Sequence, residues 1–358
     1  MRLFTCAACG QTLYFENNQC TRCGRPLAFL PDRGLLAAVR ADDASTGLLV
    51  PVDEKLGPTR YRPCGNQVDQ GACNWAVPES DEQRFCRACR LNRLIPNLTE
   101  PGSKDAWLNL ERAKRRLLYT LSGLRLPIEP RGPASGGGLA FSFARDEPGA
   151  ERVLTGHNDG IITINIAEAD APFRERIRQD LGEPYRTLLG HFRHEIGHYY
   201  WSRLVDGSKW QAPFGALFGD PAADYAAAVK NHYDNGPPAD WPNRFVSTYA
   251  STHPWEDWAE SWAHYLHMID TLETARSFGL ALQPAPTGGG QEPPVLTPRV
   301  EVEALEGLLG AWVPLTLALN SLNRSMGLPD PYPFVLPPPA IEKLRLVHDV
   351  IRDAGAGA

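Results

Sequence analysis

Apolar side chains recur at helical spacing through much of this 358-residue chain. Residues 104–121, for example, place Trp107, Leu110 and Leu118 on one face, which predicts an amphipathic helix. Further helices are predicted at 171–204 with a break near 182–184, and at 221–234, 253–278, 300–325 and 339–353. The last two-thirds of the chain is therefore predicted to be mainly helical.

Short β-branched or apolar runs predict a few strands. The strongest candidate lies at 160–166, which contains four isoleucines, and another lies at 139–143. We expect the 160–166 strand to form a sheet edge that aligns an extended peptide by strand addition. Residues 34–39 are expected to be briefly helical and residues 47–52 briefly extended. The combined pattern predicts an α+β fold with a small β-sheet.

Cysteine and histidine occupy separate parts of the chain. All eight cysteines lie between Cys6 and Cys89, whereas eight of the nine histidines lie between His157 and His267. Both residue types bind transition metals. The segregation therefore predicts two kinds of metal site with different tasks.

The overall composition argues against several classes of protein. With 43% hydrophobic and 22% charged residues, it is typical of a globular protein. The net charge of -6 argues against a dedicated nucleic-acid-binding protein. No stretch approaches about 18 consecutive apolar residues, and the first residues lack the features of a signal peptide. We therefore expect a cytoplasmic protein without a membrane partner.

The first four cysteines form two CxxC pairs that are separated by ten residues. These residues are Cys6, Cys9, Cys20 and Cys23. Such spacing is typical of a zinc ribbon, in which four thiolates fill the tetrahedral shell of the metal. Because no position stays open for substrate, the sequence predicts a structural zinc site.

The other four cysteines provide a second complete ligand set. They are Cys64, Cys73, Cys86 and Cys89. Their looser spacing leaves open an exchange of ligands between the two sets, but two structural zinc ions are expected either way. Six arginines surround this second set, namely Arg60, Arg62, Arg84, Arg87, Arg90 and Arg93. A protein or nucleic-acid partner at this region and a simple solvated surface both remain open.

The motif His194-Glu195-Ile196-Gly197-His198 lies within an amphipathic helical pattern. Residues four apart share one face of a helix, so His194 and His198 can bind one zinc ion. Glu195 is then placed beside the metal and can accept a proton from its bound water. The motif predicts a catalytic zinc site with Glu195 as general base.

A catalytic zinc site needs a third protein ligand, which we expect from the helix that begins near His253. Glu256 is the favoured ligand, with Glu260 one turn later as an acceptor for a ligating histidine. The reverse assignment, with Glu260 on the metal, stays open. Tyr249 and His253 precede this helix and are candidate donors to the oxyanion of a tetrahedral intermediate.

The chain resembles the bacterial zinc-binding metallopeptidases that carry an N-terminal zinc-ribbon domain. The shared segments are 6–23, 63–66, 73–75, 85–92, 194–198, 247–260, 319–324 and 332–335. The resemblance covers nearly the whole chain and implies a zincin-like metallopeptidase domain, but it implies no substrate. One departure is that Glu260 stands where the common Glu-x-x-Ala-Asp pattern of this class has its final aspartate.

These observations divide the chain into three expected regions. Residues 1–30 form a zinc ribbon, residues 31–95 a second four-cysteine module, and residues 96–358 the zincin-like domain. A Pro/Gly-rich insertion is expected near 282–298.

Two functional hypotheses follow. The first is a zinc metallopeptidase in which a zinc-activated water hydrolyses the peptide bond of a peptide or protein substrate. The second is a zinc-ribbon regulator that binds protein or nucleic acid and whose HExxH domain is inactive or conditionally active. Hydrolysis of a non-peptide amide is a further alternative.

Overall fold

The computed structural model describes residues 1–43, 46–132, 137–180, 187–282 and 304–357. It confirms the predicted α+β class, with small sheets and long helices. The chain forms two compact units, Met1–Ala171 and Pro172–Ala358. Their boundary lies inside the region that the sequence assigned to one domain at 96–358.

The described strands all lie in the first unit. They are β1 Phe4–Thr5, β2 Thr12–Leu13, β3 Leu27–Leu30, β4 Leu35–Ala41, β5 Leu49–Pro51, β6 Tyr61–Pro63, β7 Ala76–Pro78, β8 Asn92–Leu94, β9 Ala140–Ala144, β10 Gly156–Asn158 and β11 Ile161–Asn165. They form a β1-β2 hairpin sheet, a five-stranded sheet in the order β3 to β7, and a four-stranded sheet ordered β10-β11-β9-β8. Two helices, α1 Gly65–Gln70 and α2 Ser103–Gly123, accompany these sheets.

The expected helical turn at 34–39 is wrong, because most of this segment belongs to β4. The run Leu35-Leu36-Ala37-Ala38-Val39 contains good helix formers, but it pairs antiparallel with β3 on one side and β5 on the other. Ala37 and Val39 join the core of the five-stranded sheet. Sheet pairing and burial therefore override the local helical preference.

The 160–166 strand is also not a sheet edge. It forms β11, which pairs antiparallel with β10 and parallel with β9. Since both of its sides are already hydrogen-bonded, it cannot accept a peptide as an added strand. The edges of this sheet are β10 and β8.

The regular secondary structure described in the second unit is helical. Its helices are α3 Ala171–Asp180, whose first residue ends the first unit, α4 Leu188–Tyr200, α5 Gln211–Phe218, α6 Tyr225–Asn235, α7 Pro254–Ser277, α8 Leu305–Ser325 and α9 Pro338–Ala356. Helix α6 begins four residues later than predicted, because Asp224 accepts a hydrogen bond from the backbone N–H of Ala227 and caps it there. The predicted break near 182–184, and the insertion at 282–298 apart from Leu282, lie outside the described residues.

The core of this unit is built around the contact between α4 and α7. Trp258 and Trp262 of α7 are fully buried, and the ring of Trp262 stacks on Tyr200 of α4 with 5.0 Å between centroids. Gly197 of α4 allows close approach, since a Cβ there would lie 3.0 Å from Cα of Ala259. The two helices are thereby held close along the faces that carry the predicted metal ligands.

Among the described residues, one helix is long and apolar enough to cross a membrane by length and composition alone. This helix is α8, although no unbroken apolar run of that length was evident in the sequence. It contains Pro314, and its residues Leu305, Leu308 and Trp312 are buried within the protein. A core helix of a globular protein satisfies the same test.

Candidate metal centre

Helix α4 brings its two histidines together on one face. The side chain of Thr187 caps this helix by accepting a hydrogen bond of 3.0 Å from the backbone N–H of Gly190. His194 and His198 follow one turn apart, and their Nε2 atoms lie 3.2 Å from each other. Both side chains are buried. The local helix thus presents two imidazole nitrogens to one point, as the spacing predicted.

Helix α7 supplies a carboxylate to the same point. Oε2 of Glu256 lies 3.0 Å from Nε2 of His194 and 3.5 Å from Nε2 of His198. The candidate ligand atoms of these three residues all lie within 4.8 Å of one another. The structure therefore brings together the three residues that the sequence proposed as ligands of one metal ion.

Glu260 lies on the other side of the His194 ring. Its Oε1 is 2.8 Å from Nδ1 of His194, and its Oε2 accepts a hydrogen bond of 2.7 Å from the Ser247 hydroxyl. A proton on Nδ1 that points at Glu260 leaves the Nε2 lone pair free for a metal. The arrangement matches Glu256 as the metal ligand and Glu260 as its supporting acceptor.

The charged groups where these side chains meet favour a bound cation. Burial disfavours the charged imidazole of His194, yet hydrogen bonds to Glu256 and Glu260 raise its pKa well above the ordinary value. Burial likewise opposes ionisation of Glu256, but His198 and His194 hold its pKa well below the ordinary value. Two imidazoles and one carboxylate are the donor set of many catalytic zinc sites, which keep a fourth position for water. The residues present therefore fit zinc.

Glu195 is buried on the same helix, directly after the first histidine. Burial and the charge of Glu256 raise the pKa of both Tyr225 and Tyr249, and the charge of Glu195 adds to this effect. Glu195 and Glu256 therefore both lie close enough to these two phenols to raise their pKa values. Both phenols keep their protons at neutral pH and can donate hydrogen bonds.

The two residues predicted as oxyanion donors have different positions. The ring of Tyr249 lies 5.8 Å from that of His194, which keeps it a candidate donor. His253 instead caps α7: its Nδ1 accepts from the backbone N–H of Trp255 at 3.1 Å, and its Nε2 donates to the carbonyl oxygen of Ala223 at 3.1 Å. With both ring nitrogens engaged, His253 has a structural role here and not the predicted catalytic one.

The sequence did not reveal Tyr225, which the structure places beside the candidate metal centre. Its hydroxyl donates a hydrogen bond of 2.7 Å to Oε1 of Glu256. Trp255 is a second missed neighbour, because its ring lies 4.2 Å from that of His198. Neither contact leaves a periodic or motif signal in the sequence, because each one joins two different helices. Tyr225 of α6 contacts Glu256 of α7, and Trp255 of α7 contacts His198 of α4.

The eight cysteines form two separate sets of four, and they do not interleave. The first is Cys6, Cys9, Cys20 and Cys23, and the second is Cys64, Cys73, Cys86 and Cys89. Backbone N–H groups of Cys86 and Trp75 lie 3.4 Å from the sulfurs of Cys64 and Cys73, respectively. Such donors are well placed to support thiolates.

The second set cannot ionise fully without a cation. Hydrogen bonds from Cys73 and Cys86 lower the pKa of the Cys64 thiol, whereas burial raises the pKa of Cys73 and Cys86 well above the ordinary value. In the more open first set, the pKa of Cys20 is lowered to about 6, chiefly by a hydrogen bond from the backbone of Cys23. Four thiols at such short range fit a divalent ion that replaces their protons.

Most of the arginines near the second set have partners within the chain. Arg60 pairs with Glu79 at 2.8 Å, Arg84 with Asp69 at 2.7 Å, and Arg90 with Asp81 at 2.5 Å. Arg62 donates to the backbone carbonyl of Asp81. These contacts favour a solvated, internally paired surface, and a nucleic-acid partner stays a prediction.

A helix with a His-Glu-x-x-His motif and a carboxylate from a second helix define a zinc-binding centre of the metallopeptidase class. Comparison with known families agrees: residues 103–350 match the family described as "Putative zinc-binding metallo-peptidase". The chain belongs to this family. Residues 3–100 match a zinc-ribbon domain, which includes both cysteine sets.

Close relatives occur in mycobacteria. One protein of Mycobacterium bovis and one in each of two strains of Mycobacterium tuberculosis are 43% identical to this chain over 352 residues. The match covers 98% of this chain and 95% of each relative, and all three relatives are described as uncharacterized. No solved structure matches the chain.

Proposed function

We propose that the protein is a zinc-dependent peptidase that hydrolyses peptide bonds with Glu195 as general base. The observation that carries the proposal is the meeting of His194, His198 and Glu256, with Glu195 next to the first ligand on the same helix. A structural site would close the metal with a fourth side chain. Three converging ligands instead suit a centre that has room for water and substrate.

Each residue has a distinct task in this proposal. When bound, zinc would lower the pKa of a coordinated water to about 7 and polarise the substrate carbonyl. Glu195 removes a proton from the water and returns it to the departing amine. Tyr249 donates to the carbonyl oxygen as it gains charge. Glu260, held by Ser247, fixes the ring and tautomer of His194.

The cysteine sets complete the proposed metal content. Each set would hold one structural zinc, which gives three zinc ions per chain together with the His194 site. Thiolate-bound zinc suits a reducing compartment, so we propose that the protein acts in the cytoplasm.

Removal and return of the third zinc provides a test. A mild chelator should empty the three-ligand site before the four-thiolate sites, because its open fourth position lets the chelator bind the metal. Mass spectrometry would follow cleavage of a peptide mixture. We expect cleavage to stop when zinc falls from three to two per chain and to resume after zinc is restored. Every product pair should carry a new amino terminus, which distinguishes peptide bonds from other amides. A fully zinc-loaded chain that cleaves no peptide would overturn the proposal.

A further inference from the structure

The two oxygens of the Glu256 carboxylate face different groups. Oε2 faces Nε2 of His194 at 3.0 Å and Nε2 of His198 at 3.5 Å. Oε1 points to the opposite side, where it accepts the 2.7 Å hydrogen bond from Tyr225. Glu256 is itself buried, so its carboxylate has little access to water. One oxygen is therefore directed at the metal position and the other is engaged by a phenol.

Tyr225 reaches this carboxylate from a surface helix. It is the first residue of α6, and none of the eleven residues of this described helix is buried. The Tyr225 side chain links α6 to the ligand Glu256. A residue that served packing alone would be expected to bury its ring, but Tyr225 is 42% exposed while its hydroxyl meets a buried carboxylate.

The start of α6 is anchored so that this contact is maintained. Nε2 of His253 donates to the carbonyl of Ala223, two residues before Tyr225. The ring of Tyr225 packs edge-on against His253 at 5.3 Å and against Trp255 at 6.2 Å. The cap of the ligand-bearing helix α7 thus also sets the position of the phenol.

We infer that Tyr225 is a further positioning residue of the metal centre, which holds Glu256 as a ligand through Oε2 alone. The inference rests on the proposed zinc site. By engaging Oε1, the phenol keeps the second oxygen away from the metal and preserves the fourth position for water. Partners that orient a metal ligand in this way commonly contribute about 10- to 100-fold to metal affinity.

Tyr225→Phe removes only the hydroxyl and tests this role without an activity assay. We expect the zinc Kd of the third site, measured by competition with a chromophoric chelator, to rise by about 10- to 100-fold. With cadmium in all three sites, the NMR resonance of the His194 site should shift, because its carboxylate ligand is no longer held. The resonances of the two thiolate sites have different chemical shifts and should not move, which shows that the change is confined to the His194 site.

Tyr233→Phe is the matched control, because it removes a hydroxyl from an exposed tyrosine of the same helix. We expect it to keep the wild-type Kd and spectrum. A wild-type Kd or a wild-type resonance in Tyr225→Phe would overturn the role of Tyr225. Glu256→Gln separates the two proposals: unaltered zinc binding in that variant would overturn the zinc site itself, and with it the role of Tyr225.

Discussion

The indole Nε1–H of Trp258 donates a hydrogen bond of 2.9 Å to the backbone carbonyl of Gly197. This bond joins the middle of the histidine motif on α4 to the helix that carries Glu256 and Glu260. It is possible because Gly197 has no side chain: a Cβ at this position would lie 3.1 Å from Cβ of Trp262. The glycine within the motif therefore sets the distance between the two ligand-bearing helices.

Gly197→Ala should push α4 and α7 apart. We expect a loss of about 1–3 kcal/mol in the free energy of unfolding, as is typical of overpacking, together with weaker zinc binding at the His194 site. Urea unfolding and chelator competition measure the two effects. Gly310→Ala is the control, because a Cβ at that helical position meets nothing within 4 Å. Equal behaviour of the two variants would show that close approach at Gly197 does not matter.

A buried ion pair stabilises the region next to the ligand Glu256. Nζ of Lys343 lies 2.5 Å from Oδ2 of Asp257, and both side chains are buried. Burial raises the pKa of Asp257 to about 7, against the opposing effect of Lys343. Lys343→Met should therefore cost about 3–5 kcal/mol at a pH well above 7, where it leaves a buried ionised carboxylate without its partner.

The matched variants make this prediction specific. Asp257→Asn combined with Lys343→Met should recover much of the loss in urea unfolding, because no unpaired charge remains. Lys209→Met breaks an exposed pair with Asp353 and should cost less than about 1 kcal/mol. If Lys343→Met is no more destabilising than Lys209→Met, the buried pair does not stabilise the fold.

Zinc binding at the His194 site should depend on pH in a defined direction. In the metal-free protein, Glu256 and Glu260 raise the pKa of His194 well above its ordinary value of 6.5, despite the burial of the ring. The ring is therefore still protonated when the pH is above 6.5. Zinc must displace that proton, and its affinity should rise by about tenfold per pH unit from near 6.5 up to the raised pKa. The protonated ring contributes stability to the metal-free fold below pH 6.5, and this contribution is lost as pH rises through the raised pKa.

Calorimetry in two buffers of different ionisation enthalpy counts the released protons. With both thiolate sites already filled, we expect zinc binding at the His194 site of the wild-type chain to release at least about one proton at pH 7. Glu260→Gln removes one of the two carboxylates, so fewer protons should be released at the same pH. Zinc uptake without proton release in the wild-type chain would show that His194 is neutral before the metal binds.

The sequence predicted the parts of the site that depend on local spacing. His194 and His198 are four residues apart, and a helix is enough to bring them together. The two cysteine sets were also assigned correctly by spacing, although only the structure excluded an exchange of ligands between them. The sequence favoured Glu256 over Glu260 as the ligand but left the reverse assignment open, because both lie on one face of α7 and the choice depends on how α7 packs against α4.

Other features depend on contacts that no local pattern records. Tyr225 meets Glu256 only because the start of α6 lies against the start of α7. The sequence predicted His253 as a catalytic donor, but both nitrogens of its ring are hydrogen-bonded, one to the backbone N–H of Trp255 and the other to the carbonyl of Ala223. Strand β4 has helix-forming residues and becomes a strand because β3 and β5 pair with it. In each case, tertiary packing decides between locally similar alternatives.

The rate of peptide cleavage by Glu195→Gln, relative to the wild-type chain at equal zinc content, isolates the general base from metal binding. Glu342→Gln, which alters an exposed glutamate on α9, serves as the control and should leave the rate unchanged. We expect Glu195→Gln to keep three zinc ions per chain and to lose at least about 100-fold in rate, since general base catalysis contributes that much or more. A Glu195→Gln chain that cleaves peptides within a few-fold of the wild-type rate would contradict the proposed mechanism.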